Sequence, residues 1–333
     1  MVSKGTVTAQ LLYEISSPAY VNPDVVSHFD TLKIEELEKD KVHVSGCRGS
    51  SPPKDHKVCI NLAGGFRNGM EIILTGLDIE EKAKVFTEVL FNSVGGQEQF
   101  DEVFIELQRT DKENPTTNEQ AMASLVISVK SSNQELVGRL FSAKIIELAL
   151  ANIPGFFAES GPKSSGPVII YWPALVDSKY ITEKVHIDGK EIEVVPTSQL
   201  DYEEIYYQRE PISIDDIEIS DQKEIYFGDL FGTRSGDKGG CANLGVWAKN
   251  NLSYSFLYNF LTIEKLKELL PDLSEYKIER FELPNINSLN FYIHDILEDG
   301  VSSNNRKDGQ AKSLGEYLRV KKILVPDSIL LET

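Results

Sequence analysis

The chain has 333 residues, of which 41% are hydrophobic and 26% are charged, a balance that excludes a chain disordered throughout. Its 34 lysines and arginines against 52 aspartates and glutamates give a net charge of -18, which argues against nucleic acid as the main partner. Three cysteines without CxxC spacing indicate neither a disulfide framework nor a zinc site, and no apolar run approaches the roughly 18 residues of a membrane span. We therefore expect a cytoplasmic protein of two domains that does not enter a membrane.

Residues 1–55 are predicted to form a leader segment with one short helix and one pair of strands. The apolar spacing of residues 7–15 predicts the helix, which Pro18 would end. Residues 32–37 and 41–45 predict the two strands, separated by a polar turn. Residues 46–57 are rich in glycine, serine and proline and predict a loop.

Residues 56–198 are predicted to form an α+β sandwich with the element order ββαββαβ. Its strands are expected at residues 56–62, 70–75, 102–108, 124–130 and 168–172, and its helices at residues 79–93 and 133–152. Gly64, Gly65 and Gly69 would form the turn between the first two strands. This order contains that of ferredoxin-like sandwiches, in which two helices cover an antiparallel sheet. Asp188 and Gly189 predict a further hairpin over residues 185–195.

Residues 199–224 are predicted to be an acidic linker. Between residues 201 and 224, nine acidic residues accompany only Arg209 and Lys223, a composition typical of a solvated segment. The domain boundary is therefore expected there.

Residues 225–333 are predicted to repeat the ββαββαβ order. Strands are expected at residues 225–230, 243–248, 276–283, 289–296 and 320–325, with helical sequence at residues 254–270 and 311–318. The predicted fold class is therefore α+β, with two ferredoxin-like sandwiches joined by the linker.

The stretch TRSGDKGGCAN, residues 233–243, is the main candidate for a binding loop. Glycine allows successive N–H groups to turn toward one point and form an anion nest, to which nearby cations add charge. We expect a carboxylate or phosphate to bind there, through Arg234, Ser235, Gly236, Lys238 and Gly239. Asp237 is the candidate acid or base, although it could instead pair with Lys238 or cap the turn. No GxGxxG or Walker pattern is present, so no nucleotide cofactor is predicted.

The asparagines of a second cluster are candidates for binding a substrate carbonyl. Asn285 and Asn290 lie in LPNINSLN, residues 283–290, and Asn243 lies at the end of the Gly-rich stretch. An amide provides donors and an acceptor at fixed geometry, the properties needed to polarise a carbonyl. The alternative interpretation is a tight turn before a strand.

A third cluster lies in the polar stretch SSNNRKDGQAK, residues 302–312, where Arg306, Asp308 and Lys312 are candidate binding residues. Solvation of a loop explains many such runs. Residues 306–322 nevertheless carry six basic and two acidic side chains in a strongly acidic chain, which would attract an anionic ligand. No histidine has metal-binding spacing, and Cys241 is interpreted as a strand residue rather than a reactive thiol, so no metal site is predicted.

Several of these stretches together resemble the acyclic terpene utilisation protein A (AtuA) family. The resemblance covers TRSGDKGGCANLGVWA, ELPNINSLNF and RKDGQAKSLGEYL in the C-terminal part, and TAQLLYEISSPAYVNPDVV and VSGCRGSSPP near the N-terminus. It implies a ferredoxin-like C-terminal domain and a role in the breakdown of branched, terpene-derived acids as acyl-CoA thioesters. Family members carry a long glycine-rich segment ahead of QLLYEI. The leader is therefore expected to be a remnant of the family's N-terminal domain. Either a separate chain supplies the remainder, or the chain is a truncated product that keeps the fold without full activity. The expected protein partner is that separate chain or, in a homo-oligomer, another copy of this chain.

The leading functional hypothesis is a partial enzyme or enzyme subunit that acts on a branched acyl-CoA or carboxylate intermediate, with no cofactor evident. In it, Arg234, Lys238 and Arg306 hold the anion, and Asp237 transfers a proton. One alternative is a non-catalytic binding or assembly module. Another is a sensor of small anions, which a ligand would stabilise without turnover.

Overall fold

The computed structural model describes residues 1–151, 153–194 and 221–331, and it is mixed α and β, as predicted. Contacts divide the chain into two compact units. Residues 1–60 and 171–333 form the first, called the split unit here, and residues 61–170 form the second, called the inserted unit. The sequence predicted consecutive segments instead, because nothing in its local patterns shows that the first 60 residues pack with the C-terminal part.

The N-terminal part of the split unit begins with helix α1 (Lys4–Leu11). The helix starts three residues earlier than predicted because Ser3 caps it: the Ser3 hydroxyl accepts from the Thr6 amide at 3.2 Å, and the Thr6 hydroxyl accepts from the Ser3 amide at 2.9 Å. Five strands follow: β1 (Ala19–Val21), β2 (Val26–His28), β3 (Lys33–Glu38), β4 (Lys41–Ser45) and β5 (Arg48–Ser50). The predicted pair is confirmed as the β3–β4 hairpin, whereas the predicted loop contains β5, which pairs with β2.

The inserted unit is built on a five-stranded sheet with two helices, in which β8 pairs antiparallel with both β6 and β7. Its elements are β6 (Asp55–Thr75), α2 (Ile79–Ser93), β7 (Glu102–Gln108), β8 (Met122–Ser131), α3 (Arg139–Glu147), β9 (Phe156–Ala158) and β10 (Gly166–Asp177). The two outer strands continue past the unit boundary, so residues 55–60 of β6 and 171–177 of β10 belong to the split unit. The strand order is β10-β6-β8-β7, and the short β9 also pairs with β6. Buried residues recur at helical spacing along α2, at Ile79, Ala83, Phe86 and Leu90, and they join the core of this unit.

The predicted first hairpin of this region is wrong, since residues 55–75 form the single strand β6. Its glycines serve a close approach rather than a turn. A Cβ atom at Gly69 would lie 2.8 Å from the carbonyl oxygen of Ile127 on β8, and Gly65 has a φ of +90° beside the Ser131 carbonyl.

The C-terminal part of the split unit contains eight strands and five helices among its described residues. They are β11 (Glu183–Ile187), β12 (Lys190–Val194), β13 (Gln222–Tyr226), α4 (Phe227–Leu230), β14 (Gly232–Lys238), β15 (Cys241–Trp247), α5 (Asn251–Phe260), α6 (Ile263–Leu269), β16 (Ile278–Leu283), β17 (Ser288–Ile293), α7 (Leu314–Arg319), β18 (Lys322–Pro326) and α8 (Asp327–Leu330). The main sheet has the order β14-β15-β17-β16. The β11–β12 hairpin confirms the predicted turn, with Asp188 and Gly189 at φ of 51° and 75°.

Three predictions for this part are wrong. Residues predicted as a strand over 225–230 are divided between β13 and α4, and the predicted closing strand, β18, pairs with β13 rather than joining the main sheet. The predicted Gly-rich loop is the β14–β15 hairpin, paired from Gly232–Trp247 to Lys238–Cys241. Most of the predicted linker, residues 199–220, lies outside the described residues, and residues 222–224 belong to β13.

The main sheet buries different residues on its two faces, as alternation along strands requires. One face packs apolar residues against the helices, and it includes Leu244, Val246 and Phe291. Asn243, Gly245 and Asn290 point to the other face, where residues 12–17, called the N-terminal segment here, cross the sheet. This face carries the candidate site.

Candidate functional site

Two buried asparagines fix the N-terminal segment on the main sheet. Asn243 Nδ2 donates to the Leu12 carbonyl oxygen at 2.6 Å and to Asn290 Oδ1 at 2.9 Å, while Asn243 Oδ1 accepts from the Glu14 amide at 2.9 Å. Asn290 Nδ2 donates to the carbonyl oxygens of Ser16 and Ile15, at 2.8 Å and 3.5 Å. Both side chains are fully buried, so these bonds satisfy groups that water cannot reach.

Asn285 has a similar role at another place in the split unit. Its Nδ2 donates to the carbonyl oxygens of Phe29 and Leu32 at 2.9 Å and 2.8 Å. An amide nitrogen carries two hydrogens, and in Asn243, Asn285 and Asn290 both are donated within the chain. The structure therefore contradicts the expectation that these three amides donate to a substrate carbonyl.

Glu14 follows the helix in an unusual conformation. Its φ is 57°, a left-handed value that is uncommon for a residue with a side chain, and the bond from its amide to Asn243 holds it there. Glu14 and its neighbour Tyr13 pack over Gly236 on β14, where a Cβ atom would lie 2.7 Å from the Tyr13 ring and 2.8 Å from Glu14 Cγ. Glycine at position 236 thus lets these two side chains cross the edge strand.

Lys312 joins the N-terminal segment to the β14–β15 hairpin. Its ammonium group donates to Tyr13 Oη, to Glu14 Oε1 at 2.5 Å and to Asp237 Oδ1 at 3.0 Å. Burial alone would lower the pKa of Lys312, but these three hydrogen bonds outweigh it and hold the pKa well above its ordinary value. Burial would likewise raise the pKa of Glu14, but the bonds from Lys312 and Tyr13 hold it below its ordinary value. Asp237 therefore pairs with Lys312, and not with Lys238 as one interpretation of the sequence had it.

Two further cations lie on β14, on either side of Gly236. The Arg234 guanidinium carbon is 4.2 Å from the centroid of the Tyr13 ring, and Lys238 Nζ is 5.5 Å from that of Tyr20. Burial lowers the pKa of Lys238, and the charge of Lys57 lowers it further. Among the described residues, no carboxylate forms an ion pair with Arg234 or Lys238.

These residues form one group at the edge of the main sheet, which we call the junction cluster: Tyr13, Glu14, Arg234, Asp237, Lys238 and Lys312. Three cationic side chains and two carboxylates give it a surplus of one positive charge, in a chain whose net charge is -18. Four of its members were predicted as site residues from the sequence: Arg234, Asp237, Lys238 and Lys312.

The remaining residues of the predicted loop are structural. Residues 233–238 are extended and paired with residues 241–246, so their amides do not converge into the predicted anion nest. Ser235 is buried, and its hydroxyl accepts from the Gly315 amide at 2.9 Å, which ties α7 to β14. Gly239 occupies the turn with a φ of +68°.

Arg306 and Asp308 lie elsewhere in the split unit, beside a cavity of about 180 Å³ that Asp272, Ile296, Leu314 and Tyr317 also line. Arg306 Nη2 is 3.7 Å from Asp272 Oδ2. Asp308 accepts hydrogen bonds from the Lys312 and Ser313 amides, each at 2.8 Å, and these bonds lower its pKa although burial opposes them. The structure therefore gives Arg306 a different setting from Arg234 and Asn285, and Asp308 positions the backbone of Lys312.

Two members of the junction cluster, Tyr13 and Glu14, were not predicted from the sequence. Nor was Lys57, whose charge adds to the effect of burial in lowering the pKa of Lys238. Tyr13 and Glu14 belong to the QLLYEI stretch, which carried a family resemblance but no recognisable chemistry, and their partner Lys312 is 298 residues away from Glu14. Only the pairing of distant segments reveals them. In the described part of the chain, no cluster of histidine, cysteine and acidic side chains is arranged to hold a metal ion.

Comparison with known families gives two matches along the chain. Residues 1–187 match the model described as acyclic terpene utilisation family protein AtuA, and residues 226–324 match the AtuA ferredoxin-like domain. No curated protein and no solved structure matched. No helix in residues 1–151, 153–194 or 221–331 combines the length and apolar character of a membrane span. Since the first match covers more than half of the 333 residues, this chain belongs to the acyclic terpene utilisation (AtuA) family.

Proposed function

We propose that the chain is an enzyme, or a subunit of one, that binds a branched, terpene-derived acid or its acyl-CoA thioester at the junction cluster. Family membership already connects the chain with acyclic terpene utilisation. The observation that carries the proposal is that the two cations on β14, Arg234 and Lys238, have no carboxylate partner among the described residues. The two carboxylates of the cluster, Glu14 and Asp237, are paired with Lys312 instead. An anionic ligand would supply the missing partner.

In this proposal, Arg234 binds a carboxylate or a thioester carbonyl, because its planar fork suits two oxygen acceptors. Its stacking on Tyr13 limits the rotation of the guanidinium and thus the entropy lost on binding. Asp237 has one oxygen, Oδ1, on Lys312, and Oδ2 has no hydrogen-bond partner in the described chain. Oδ2 is therefore the atom that would accept a proton from the ligand and return it.

Lys312 would serve this proton transfer without touching the ligand. It keeps Glu14 ionised, so that the cluster retains one carboxylate when Asp237 is protonated, and the ammonium group stays paired throughout.

We also propose that the inserted unit is a second ferredoxin-like sandwich. Its strand order, β10-β6-β8-β7, with α2 after the first strand and α3 after the third, supports this. The cytoplasmic location and the need for a separate chain or another copy stay predictions.

Calorimetric titration of 3-methylbutanoate and its CoA thioester into the chain tests the proposed function. Arg234→Ala should weaken binding about 10- to 100-fold, the effect of losing a bidentate charge-assisted contact. Arg139→Ala, which removes the same charge from an exposed position on α3, is the control and should change affinity less than about twofold. Absence of saturable binding to the unaltered chain would refute the proposal.

A non-catalytic assembly module is the second candidate. The observation that favours it is that all three hydrogens of Lys312 and the amide donors of Asn243 and Asn290 are already used within the chain. Asp237→Asn and Lys238→Met separate the candidates. Lost pathway flux with intact complex formation supports catalysis, whereas unchanged flux and unchanged complex formation support assembly.

A further inference from the structure

The turn of the β14–β15 hairpin packs against a fixed aromatic ring. A Cβ atom at Gly239 would lie 2.7 Å from Tyr171 Cε1, so glycine is needed for this contact as well as for the positive φ. The Tyr171 amide donates to the Asp299 carbonyl oxygen at 3.1 Å, which anchors the ring from its own backbone. The ring is thereby held against the turn that follows Lys238, whose own Nζ lies 5.5 Å from the centroid of the Tyr20 ring.

Lys57 lies on the same ring. Its Nζ is 5.3 Å from the centroid of the Tyr171 ring. Burial is the main cause of the lowered pKa of Lys238, and the positive charge of Lys57 is the second. The charges of Glu14 and Asp237 act in the opposite direction and do not compensate, since the pKa of Lys238 is lowered overall. Neither lysine has an ion-pair or hydrogen-bond partner in the described part of the chain.

Lys57 Nζ thus lies over a ring that packs against the residue next to Lys238, and Lys238 is half-buried. An anion that binds both ammonium groups would offset their mutual repulsion and the partial desolvation of Lys238. A terminal phosphate group carries more charge than a carboxylate and offers three acceptor oxygens, so it can accept from both lysines at once. Compact ammonium groups on flexible stems suit a phosphate, whereas the fork of Arg234 suits the flat carboxylate or carbonyl.

We infer that Lys57 and Lys238, with the Tyr171 ring that contacts Lys57 and Gly239, form a phosphate subsite that shares Lys238 with the junction cluster. The ligand would then be a phosphate-bearing molecule such as an acyl-CoA, rather than a free acid. The position of the acyl part rests on the proposed function, but the phosphate subsite does not.

Three probes test the subsite by titration: inorganic diphosphate, 3-methylbutanoyl-CoA and free 3-methylbutanoate. Lys57→Met should weaken binding of the two phosphate-bearing probes about tenfold and leave the free acid within about twofold. Lys54→Met, which removes an equal charge from the same segment and loses only a 4.0 Å contact with Asp177, is the control and should have less than a twofold effect.

The outcomes separate this inference from the proposed function. The subsite is refuted if Lys57→Met binds both phosphate-bearing probes as the unaltered chain does, or if the unaltered chain binds neither. Binding of the free acid that depends on Arg234 would then still support the proposed function. Conversely, diphosphate binding that depends on Lys57, without any effect of Arg234→Ala on the acyl probes, supports the subsite alone.

Discussion

At the scale of single residues, Glu14 combines an unfavourable backbone conformation with strong side-chain contacts. Its φ of 57° is compensated by the bond from its amide to Asn243, and its carboxylate is paired with Lys312. A left-handed non-glycine residue persists only where its surroundings determine it, and such residues concentrate at functional sites. Glu14 therefore connects the geometry of the N-terminal segment to the charge balance of the junction cluster.

The lowered pKa of Glu14 predicts a pH dependence of stability. Because the pKa is lower in the folded chain than its ordinary value of 4.5, the contribution is fully present above pH 4.5 and is lost as pH falls through the folded value. Glu14→Gln should lower the melting temperature at pH 7 by about 2 °C, and the difference from the unaltered chain should shrink below pH 4.5. Thermal scans between pH 3 and pH 7 measure it.

Glu193→Gln, on the exposed face of the β11–β12 hairpin, is the matched control. If the difference in melting temperature between Glu14→Gln and the unaltered chain stays constant across this pH range, the pairing with Lys312 does not contribute to stability.

At the scale of elements, the edge hairpin β14–β15 and the N-terminal segment depend on each other. A Cβ atom at Gly245 on β15 would lie 2.5 Å from Leu12 Cβ, so the segment lies in van der Waals contact with the sheet backbone. Glycine at this position has a steric purpose, although the strand itself would be better formed by a larger residue.

Gly245→Ala should therefore displace the N-terminal segment and lower the free energy of unfolding by about 1–3 kcal/mol. Hydrogen exchange should rise in α1 more than in β17, because the segment that follows the helix is pushed away from the sheet. Gly166→Ala on β10 has no atom within 4 Å of its new methyl group and should be close to neutral. Equal stabilities of the two variants would contradict the packing described here.

Elements with their own periodic pattern were predictable from the sequence, and elements defined by distant pairing were not. Helix α2 and strand β7 have the predicted bounds. Buried residues recur along α2 at helical spacing, at Ile79, Ala83 and Phe86, and β7 is a short alternating stretch that its own residues define. Gly236 and Gly69 were misleading, because a glycine that allows a neighbouring segment to approach closely looks the same in sequence as a glycine in a turn.

The candidate site was predictable only in part for a similar reason. Arg234, Asp237, Lys238 and Lys312 were identified from charge and glycine content, and the structure brings them together. Asn243 and Asn290 were predicted as binding residues because a sequence does not show whether an asparagine side chain is buried or exposed. Their main-chain acceptors, the carbonyl oxygens of Leu12 and Ser16, are more than 200 residues away, and no local pattern encodes these contacts.

At the scale of the whole molecule, the inserted unit has a core of its own. Sixteen buried residues, among them Phe86, Phe141 and Leu125, form a cluster separate from the cores of the split unit. A fragment of residues 55–177, which keeps β6 and β10 whole, should therefore fold alone with one cooperative unfolding transition. Circular dichroism during urea unfolding measures this, and a non-cooperative loss of signal would contradict it. A fragment of residues 221–333 is the comparison, and it should be much less stable because it lacks the N-terminal segment.

The split unit also sets an order of events during synthesis. Lys312 leaves the ribosome 298 residues after Glu14, a delay of roughly 15–60 s at about 5–20 residues per second. During that time α1 and the buried side chains of Leu12 and Ile15 have no sheet to cover them, while the inserted unit can already fold. Nascent chains of this protein should therefore depend on chaperones that shelter α1 and the N-terminal segment, and translation pauses before residue 312 should favour aggregation more than pauses after it.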